Sequence, residues 1–154
     1  MILAVNKKAF HDYNILEKLE AGLKLQGQEV KSAKQKNISL KGAYVTISYT
    51  GHNHQPEAWL LNAHISPYKF AGNLKSYEPT RSRKLLLKKN EVLRLIGLKK
   101  QKGLTFIPIS VYTKKGLIKL ELGICRGKKL FDKRQDIKKR ESQRETQRLF
   151  RSKS

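Results

Sequence analysis

Four histidines and one cysteine are the first side chains of this sequence to consider for catalysis or metal binding. His11 precedes Asp12 as a possible acid–base pair, and His52 and His54 lie near Glu57 as possible metal ligands. The two neighbouring histidines fall in a polar loop without the i, i+4 spacing of a helical site, which favours a solvated loop. His11 and Asp12 precede a predicted strand, where a local hydrogen bond or a nucleic-acid contact is favoured over catalysis.

The remaining candidates for chemistry are equally weak. Cys125 ends an apolar strand, so a buried and inert thiol is expected, and one cysteine cannot form an intrachain disulfide or a cysteine-based zinc cluster. Gly127-Lys128-Lys129 lacks the Ser/Thr and the upstream glycine of a phosphate-binding loop. We therefore expect no catalytic residue, no metal and no cofactor.

Net charge is the strongest signal in the composition. The 154 residues contain 34 Lys and Arg against 12 Asp and Glu, or 34 − 12 = +22, whereas solubility needs a magnitude of only about 2 to 8. Such an excess indicates a polyanionic partner, and nucleic acid is the leading candidate. No apolar run approaches the roughly 18 residues of a membrane span, and no basic region precedes the apolar N-terminus as in a secretory signal. The cytosol is the expected compartment.

Composition divides the chain after Cys125. Residues 126–154 carry 12 basic and 4 acidic side chains, a net 12 − 4 = +8, and only five apolar ones. Five apolar groups cannot offset the ordering entropy of an independent fold. We predict a globular domain over residues 1–125 and a basic tail over 126–154 that is disordered or conditionally helical.

Alternating apolar residues predict several strands in the domain. Tyr13 to Leu25 fits a long strand, and although Ile15, Leu16, Leu19 and Leu23 also fit a helical stripe, Gly22 and Gly27 disfavour a helix. A short helix is predicted over 28–34, then strands over 43–49 and 58–65. The clearest pattern is a hairpin, with alternation over 107–111 and 118–124 around a turn at 113–116.

The segment from Pro79 to Gly97 predicts a helix pair. Pro79 suits a first helical position, Asn90 can cap a second helix and Gly97 can end it. The expected fold is mainly β: an OB-fold-like closed antiparallel barrel of about six strands with two or three short flanking helices.

Two basic segments fit phosphate contacts. Arg81, Arg83 and Lys84 lie beside the apolar run 85–87, and this one-sided excess of cations favours a phosphate-contacting ridge over a solvated helix face. In the tail, four arginines follow helical spacing and would form one stripe if the segment became helical: Arg140, Arg144, Arg148 and Arg151. A phosphate groove could then order the helix, while the alternative is a solubilising tail without register.

The segment Gly127-Lys-Lys-Leu-Phe-Asp-Lys-Arg134 resembles the C-terminal signature of SmpB, the tmRNA-binding protein family of bacterial trans-translation. Further blocks resemble the family in the same order, namely 6–9, 11–15, 20–32, 64–68 and 79–87. The resemblance implies a six-stranded OB-like barrel that binds the tRNA-like domain of tmRNA. It also implies a tail that folds as a helix in the vacant decoding centre and mRNA channel of a stalled ribosome, and a protein without enzymatic activity.

Matching position by position, the resemblance implies two sets of binding residues. The RNA-binding barrel residues are expected to be Asn6, Lys7, Lys8, Tyr13, Glu20, Leu86 and Lys119, with Arg81, Arg83 and Lys84 added as phosphate contacts. The ribosome-contacting tail residues are expected to be Lys128, Lys129, Phe131, Asp132, Lys133, Arg134, Arg140, Arg144, Arg148, Leu149 and Phe150. Further expected partners are the small-subunit rRNA and, through aminoacylated tmRNA, elongation factor EF-Tu, with the protein itself a monomer.

Two other hypotheses stay open. A general ribosomal or nucleoid-type basic protein would bind RNA or DNA without preferring tmRNA. A histidine-dependent ribonuclease would lose RNA cleavage on substitution of His11 and His64.

Overall fold

The computed structural model describes residues 1–49, 53–72 and 74–152, and the fold is mainly β with four helices. The strands and helices follow in this order: β1 (Ile2–Val5), α1 (Lys7–Asp12), β2 (Tyr13–Leu23), α2 (Gly27–Lys34), β3 (Ile38–Ser39), β4 (Tyr44–Ser48), β5 (Glu57–Leu61), β6 (His64–Ile65), β7 (Arg83–Leu86), α3 (Lys89–Lys99), β8 (Leu104–Lys114), β9 (Leu117–Gly127) and α4 (Leu130–Ser152).

Seven strands form one large antiparallel sheet in the order β1-β8-β4-β5-β7-β2-β9. Strand β9 pairs with β2 along most of its length and also with β8. The short strands β3 and β6 pair separately. The three long strands β2, β8 and β9 therefore lie side by side, with β9 between the other two.

The predicted strand over 13–25 is confirmed as β2, which ends at Leu23. Its outward residues are exposed at alternate positions, and its last three residues are buried. The core behind it contains Leu60, Leu120 and Leu122, none of which retains measurable exposure. The alternating burial along this segment is that of a strand, and the helix that its apolar stripe also allowed does not form.

The predicted hairpin is also confirmed, as β8 and β9. Lys115 and Gly116 connect the strands, and both have positive φ, 51° and 77°. Positive φ at both residues is what the commonest two-residue hairpin turn requires. The strands are longer than the alternation indicated, reaching Leu104 and Gly127 at their far ends.

The predicted strand over 58–65 is interrupted. Asn62 has a φ of 61°, and the chain changes direction there to pair β6 with β3 instead of continuing β5. The predicted strand over 43–49 is confirmed as β4, and the predicted helix over 28–34 as α2. The loop residues 50–52, including His52, lie outside the described residues.

The predicted helix pair over 79–97 is wrong. Arg83–Leu86 forms the strand β7, which pairs with both β5 and β2. One helix follows, and it begins after Lys88, where the Glu91 carboxylate accepts a hydrogen bond from the Lys88 backbone N–H at 2.8 Å. Gly97 lies inside this helix instead of ending it. Pairing with two neighbouring strands outweighed the local helical signals.

Two elements at the N-terminus, β1 and α1, had no sequence prediction. β1 pairs with β8, and α1 begins after Asn6. In the tail, the structure gives a continuous helix, α4, with no buried residue. Among the described residues, no helix is long and apolar enough to cross a membrane.

Candidate nucleic-acid interface

A groove on the outer face of the sheet brings together three of the residues expected to bind RNA. Gly22 on β2 pairs with Leu86 on β7 and with Lys119 on β9. Glu20 lies two residues before Gly22 and therefore points to the same face, and all four residues line the groove. The site thus combines a hydrogen-bond acceptor, an apolar side chain and a cation.

The absence of a side chain at Gly22 shapes this groove. A Cβ added at Gly22 would lie 3.0 Å from the Leu86 Cβ, closer than most real contacts. Leu86 therefore lies directly over the β2 backbone while 53% of its surface stays exposed. An exposed leucine held over a strand backbone can make an apolar contact with a partner.

Two residues that the sequence analysis missed hold Glu20 in place. The Tyr112 hydroxyl donates a hydrogen bond to Glu20 Oε2, and Lys114 Nζ lies 3.2 Å from the same oxygen. These interactions lower the pKa of Glu20, the tyrosine hydrogen bond most of all. Burial, and then Glu20, raise the pKa of Tyr112 to about 12. At neutral pH the carboxylate is ionised and the phenol is a donor.

The hairpin register could have identified Tyr112. Tyr112 lies opposite Lys119 across β8 and β9, and Glu20 lies opposite Glu121 across β2 and β9. A cross-strand neighbour of an expected RNA contact is a natural candidate. That inference needs the register of three strands, which local alternation does not supply.

Asn6, expected to contact RNA, lies mostly inside the protein. It is 6% exposed, its Oδ1 accepts a hydrogen bond from the Ala9 backbone N–H at 3.2 Å, and its Nδ2 donates to the Pro108 carbonyl at 2.9 Å. Both interactions anchor the start of α1. Lys7 and Lys8, on the first turn of this helix, are exposed.

Tyr13 lies on a second concave surface, beside α1. It is half-buried and packs against a small cluster that contains Ile107 and Cys125. Tyr13, Lys8 and Tyr44 line a shallow cavity there. A partner in this cavity can contact a partly exposed tyrosine and a cation at the same time. Tyr44 was not predicted from the sequence as a site residue.

Arg83 is a correction to the expected phosphate-contacting ridge. Its side chain has no exposed surface, and it donates to Glu29 Oε1 at 3.0 Å and to the Ala63 carbonyl at 2.7 Å. A fully buried guanidinium cannot reach a phosphate on a bound RNA. Its role is structural, because it joins β7 to α2 through Glu29.

The other two residues of that ridge are partly exposed and already paired. Arg81 Nε donates to Glu29 Oε1 at 2.8 Å, and Lys84 Nζ lies 2.8 Å from Glu57 Oε1. Burial favours a raised pKa for Glu29, but hydrogen bonds from Arg81, the Gln26 backbone and Arg83 leave that pKa below its usual value. Carboxylates on α2 and β5 therefore already pair with all three cations of the ridge.

The beginning of the tail is held on the body by a backbone hydrogen bond and an ion pair, both to Asp12, and it also contains an ion pair within the tail itself. Lys128 Nζ contacts the Asp136 carboxylate, and the Lys128 backbone N–H donates to the Asp12 carbonyl at 2.9 Å. Lys133 Nζ lies 3.4 Å from Asp12 Oδ1. His11 Nδ1 lies 2.9 Å from the same oxygen, which is the local hydrogen bond considered for this pair, and this contact is the main cause of a lowered Asp12 pKa.

Beyond this junction, α4 presents its side chains to solvent. Phe131 is 66% exposed, Asp132 is half-buried, and the expected tail residues Lys129, Arg134, Arg140, Arg144, Arg148, Leu149 and Phe150 are exposed. The arginine spacing places the helical stripe on one face. The helix is therefore available to a polyanionic partner.

The cysteine and the metal-ligand candidates form no chemical site within the described ranges. Cys125 is fully buried, and burial raises the pKa of its thiol to about 11. Among the described residues, no group of three or more His, Cys, Asp or Glu side chains is placed to hold a metal ion.

Comparison with known proteins identifies the family of this chain. Residues 3–152 match the family model described as SmpB protein. An SsrA-binding protein of Desulfitobacterium hafniense is 48% identical over 150 residues, covering 97% of this chain and 92% of the relative. An SsrA-binding protein of Carboxydothermus hydrogenoformans is 45% identical over 151 residues, covering 98% and 97%. A solved structure described as "tmRNA-SmpB: a journey to the center of the bacterial ribosome" is 41% identical, with a TM-score of 0.64 and coverage of 82% of this chain and 84% of that one. The chain belongs to the SmpB protein family.

Proposed function

We propose that the groove around Glu20, Leu86 and Lys119 recognises the tRNA-like domain of tmRNA. The protein is a tmRNA-binding protein of trans-translation and not an enzyme. The observation that carries the proposal for the groove is the meeting of an acid, an exposed leucine and a lysine from three strands on one face. A surface that binds only phosphates gains nothing from a carboxylate. The edges of bases carry amino groups, which can donate hydrogen bonds to a carboxylate.

The groove is a selective site within a basic surface. Lys119 supplies attraction to phosphates, which is independent of sequence. Glu20 is held in place by Tyr112. Its carboxylate repels a phosphate placed beside it and accepts hydrogen bonds from a base placed there. Tyr13, Lys7 and Lys8 form a second contact region beside α1, and stacking on Tyr13 contributes about 1 to 3 kcal/mol.

A closed barrel is the architecture that would hold this groove rigid. The pairings β8-β4-β5-β7-β2-β9, together with the β8–β9 pairing, support closure around six strands. Closure through the β8–β9 pairing would leave β9 without a free edge, and so would keep Glu20, Gly22 and Lys119 in fixed register.

The tail would act separately from the groove, on the stalled ribosome. Residues 1–125 would bind tmRNA, and residues 126–154 would enter the decoding centre and the downstream mRNA channel. The exposed arginine stripe and the absence of buried residues in α4 support this division. Arg140, Arg144 and Arg148 would neutralise rRNA phosphates, and rRNA would in turn stabilise the helix.

The remaining parts of the proposal concern assembly. The protein would work as a monomer in the cytoplasm, associated with the ribosome, and would meet EF-Tu through aminoacylated tmRNA. Asp132, Lys133 and Arg134 would lie near the decoding bases, with Phe131 supplying a ring face and Leu149 and Phe150 an apolar contact further along the channel.

Deletion of residues 131–154 tests the division between groove and tail. We expect tmRNA affinity to stay close to that of the full chain while peptide tagging on stalled ribosomes is lost. Filter binding with tmRNA, tRNA, random RNA and duplex DNA measures affinity and preference together. A collapse of tmRNA affinity would contradict the division, and equal affinity of the full chain for all four nucleic acids would favour a general basic binder.

A further inference from the structure

An exposed aromatic pair lies on the connection between β6 and β7, outside both surfaces described above. The rings of Tyr68 and Phe70 meet edge to face, with centroids 5.6 Å apart and planes at 68°. Phe70 is 75% exposed, the largest value among the exposed large apolar residues of the described chain. A phenylalanine held by a neighbouring ring yet open to solvent is suited to contact a partner.

Cations flank both rings. Lys31 Nζ, on α2, lies 5.4 Å from the centroid of the Tyr68 ring, and Lys69 Nζ lies 5.9 Å from that of Phe70. The connection over residues 66–82 contains two lysines and one arginine but a single acid, Glu78. The buried carboxylate of Glu29, on the same helix as Lys31, is already engaged by Arg81 and Arg83.

This combination fits an unpaired nucleotide better than a protein or a lipid surface. Every base has a π-face that can stack on an exposed ring, and nearby ammonium groups can neutralise the adjoining phosphates. An acidic protein segment would satisfy the lysines but would leave the open ring without a flat partner.

We propose that Phe70, held by Tyr68 and flanked by Lys31 and Lys69, stacks on an unpaired base of tmRNA at a contact point separate from the groove. The proposal rests on the tmRNA-binding function proposed above. An RNA already held in the groove presents its other nucleotides to the same protein molecule, so that a weak second contact adds to affinity without a second encounter. This makes tmRNA, and not ribosomal RNA, the expected occupant.

Replacement of Phe70 in the full chain tests the proposal. We expect Phe70→Ala to bind fluorescently labelled full-length tmRNA about fivefold more weakly or worse, as loss of one stacked base implies, and Phe70→Trp to bind as wild type does. Leu93→Ala, at an exposed leucine on α3, is the matched control and should leave affinity unchanged. Thermal unfolding of each variant checks that the fold is intact.

A spectroscopic measurement separates stacking from a general loss of contact. The chain has one tryptophan, Trp59, so Phe70→Trp in a Trp59→Phe background places a single reporter in the aromatic pair. Addition of tmRNA should quench its emission. Unchanged emission with wild-type affinity for Phe70→Ala would overturn the proposal. So would a loss of ribosome binding without any loss of tmRNA binding. If wild type does not prefer tmRNA to random RNA, the proposed function itself fails, whatever Phe70 does.

Discussion

Substitution of Arg83 by methionine tests whether this arginine supports the fold or binds RNA. The guanidinium donates to Glu29 Oε1 at 3.0 Å and to the carbonyls of Ala63 and Pro79 at 2.7 and 2.8 Å. Methionine fills much of the same volume but satisfies none of these acceptors. Breaking a buried charge pair by removing one partner costs about 3 to 5 kcal/mol. For a chain of this size, that loss of unfolding free energy lowers Tm by roughly 6 to 20 °C.

Arg94→Met is the matched control for this substitution. Arg94 makes a two-pronged contact with Glu17, but this pair lies on the surface, where ion pairs contribute little. We expect Tm to change little in Arg94→Met and to fall clearly in Arg83→Met, as measured by circular dichroism. An unchanged Tm for Arg83→Met combined with weaker tmRNA binding would show that Arg83 contacts RNA after all.

The same cluster gives stability a dependence on pH. The pKa of Glu29 in the folded protein is lower than its ordinary value of 4.5, so the unfolded chain binds its proton more readily. The stabilisation from the ionised carboxylate is therefore complete above pH 4.5 and is lost as pH falls through the folded-state pKa. The loss of unfolding free energy on acidification should be less steep in Glu29→Gln than in the wild type. The same dependence on acid pH in both proteins would contradict a lowered pKa of Glu29.

Two further predictions concern the groove and its electrostatics. Tyr112→Phe removes the main cause of the lowered Glu20 pKa, so a carboxyl-carbon NMR titration should show that pKa rising, and tmRNA affinity should fall. Tyr49→Phe, at an exposed tyrosine, is the control, and an unmoved Glu20 pKa in Tyr112→Phe would refute the contact. Salt should weaken the tmRNA complex steeply, with a linear fall of log affinity against log salt concentration, because bound lysines and arginines release counterions from the RNA. A flat salt dependence would mean that phosphate contacts contribute little.

Local sequence patterns predicted the elements whose signals are local. The β8–β9 hairpin followed from alternation around a turn predicted over 113–116, and β2 from alternate apolar residues. The strand β7 was missed because Pro79, Asn90 and Gly97 give helical signals over a short apolar run. Its structure depends on pairing with β5 and β2, which are distant in sequence.

In the candidate site, too, the residues that were missed or misassigned depend on contacts between segments distant in sequence. The resemblance to the family supplied Glu20, Leu86 and Lys119, and the structure brings them together. Arg83 was misassigned because its partner, Glu29, is 54 residues away in the chain, and a basic run alone does not reveal which cation is buried. Tyr112 was missed because its contact with Glu20 requires the register between β8, β9 and β2.

The affinity of Glu20→Arg for tmRNA tests the central claim most directly. The change adds two positive charges to a protein of net charge +22, so attraction to phosphates alone would strengthen binding. We predict weaker binding in equilibrium anisotropy measurements, because the acceptor of the groove is lost and Tyr112 and Lys114 lose their partner. Glu78→Arg, the same change at an exposed acid away from the groove, should bind as tightly as wild type or more tightly. Unchanged or stronger binding by Glu20→Arg would contradict selective recognition in the groove.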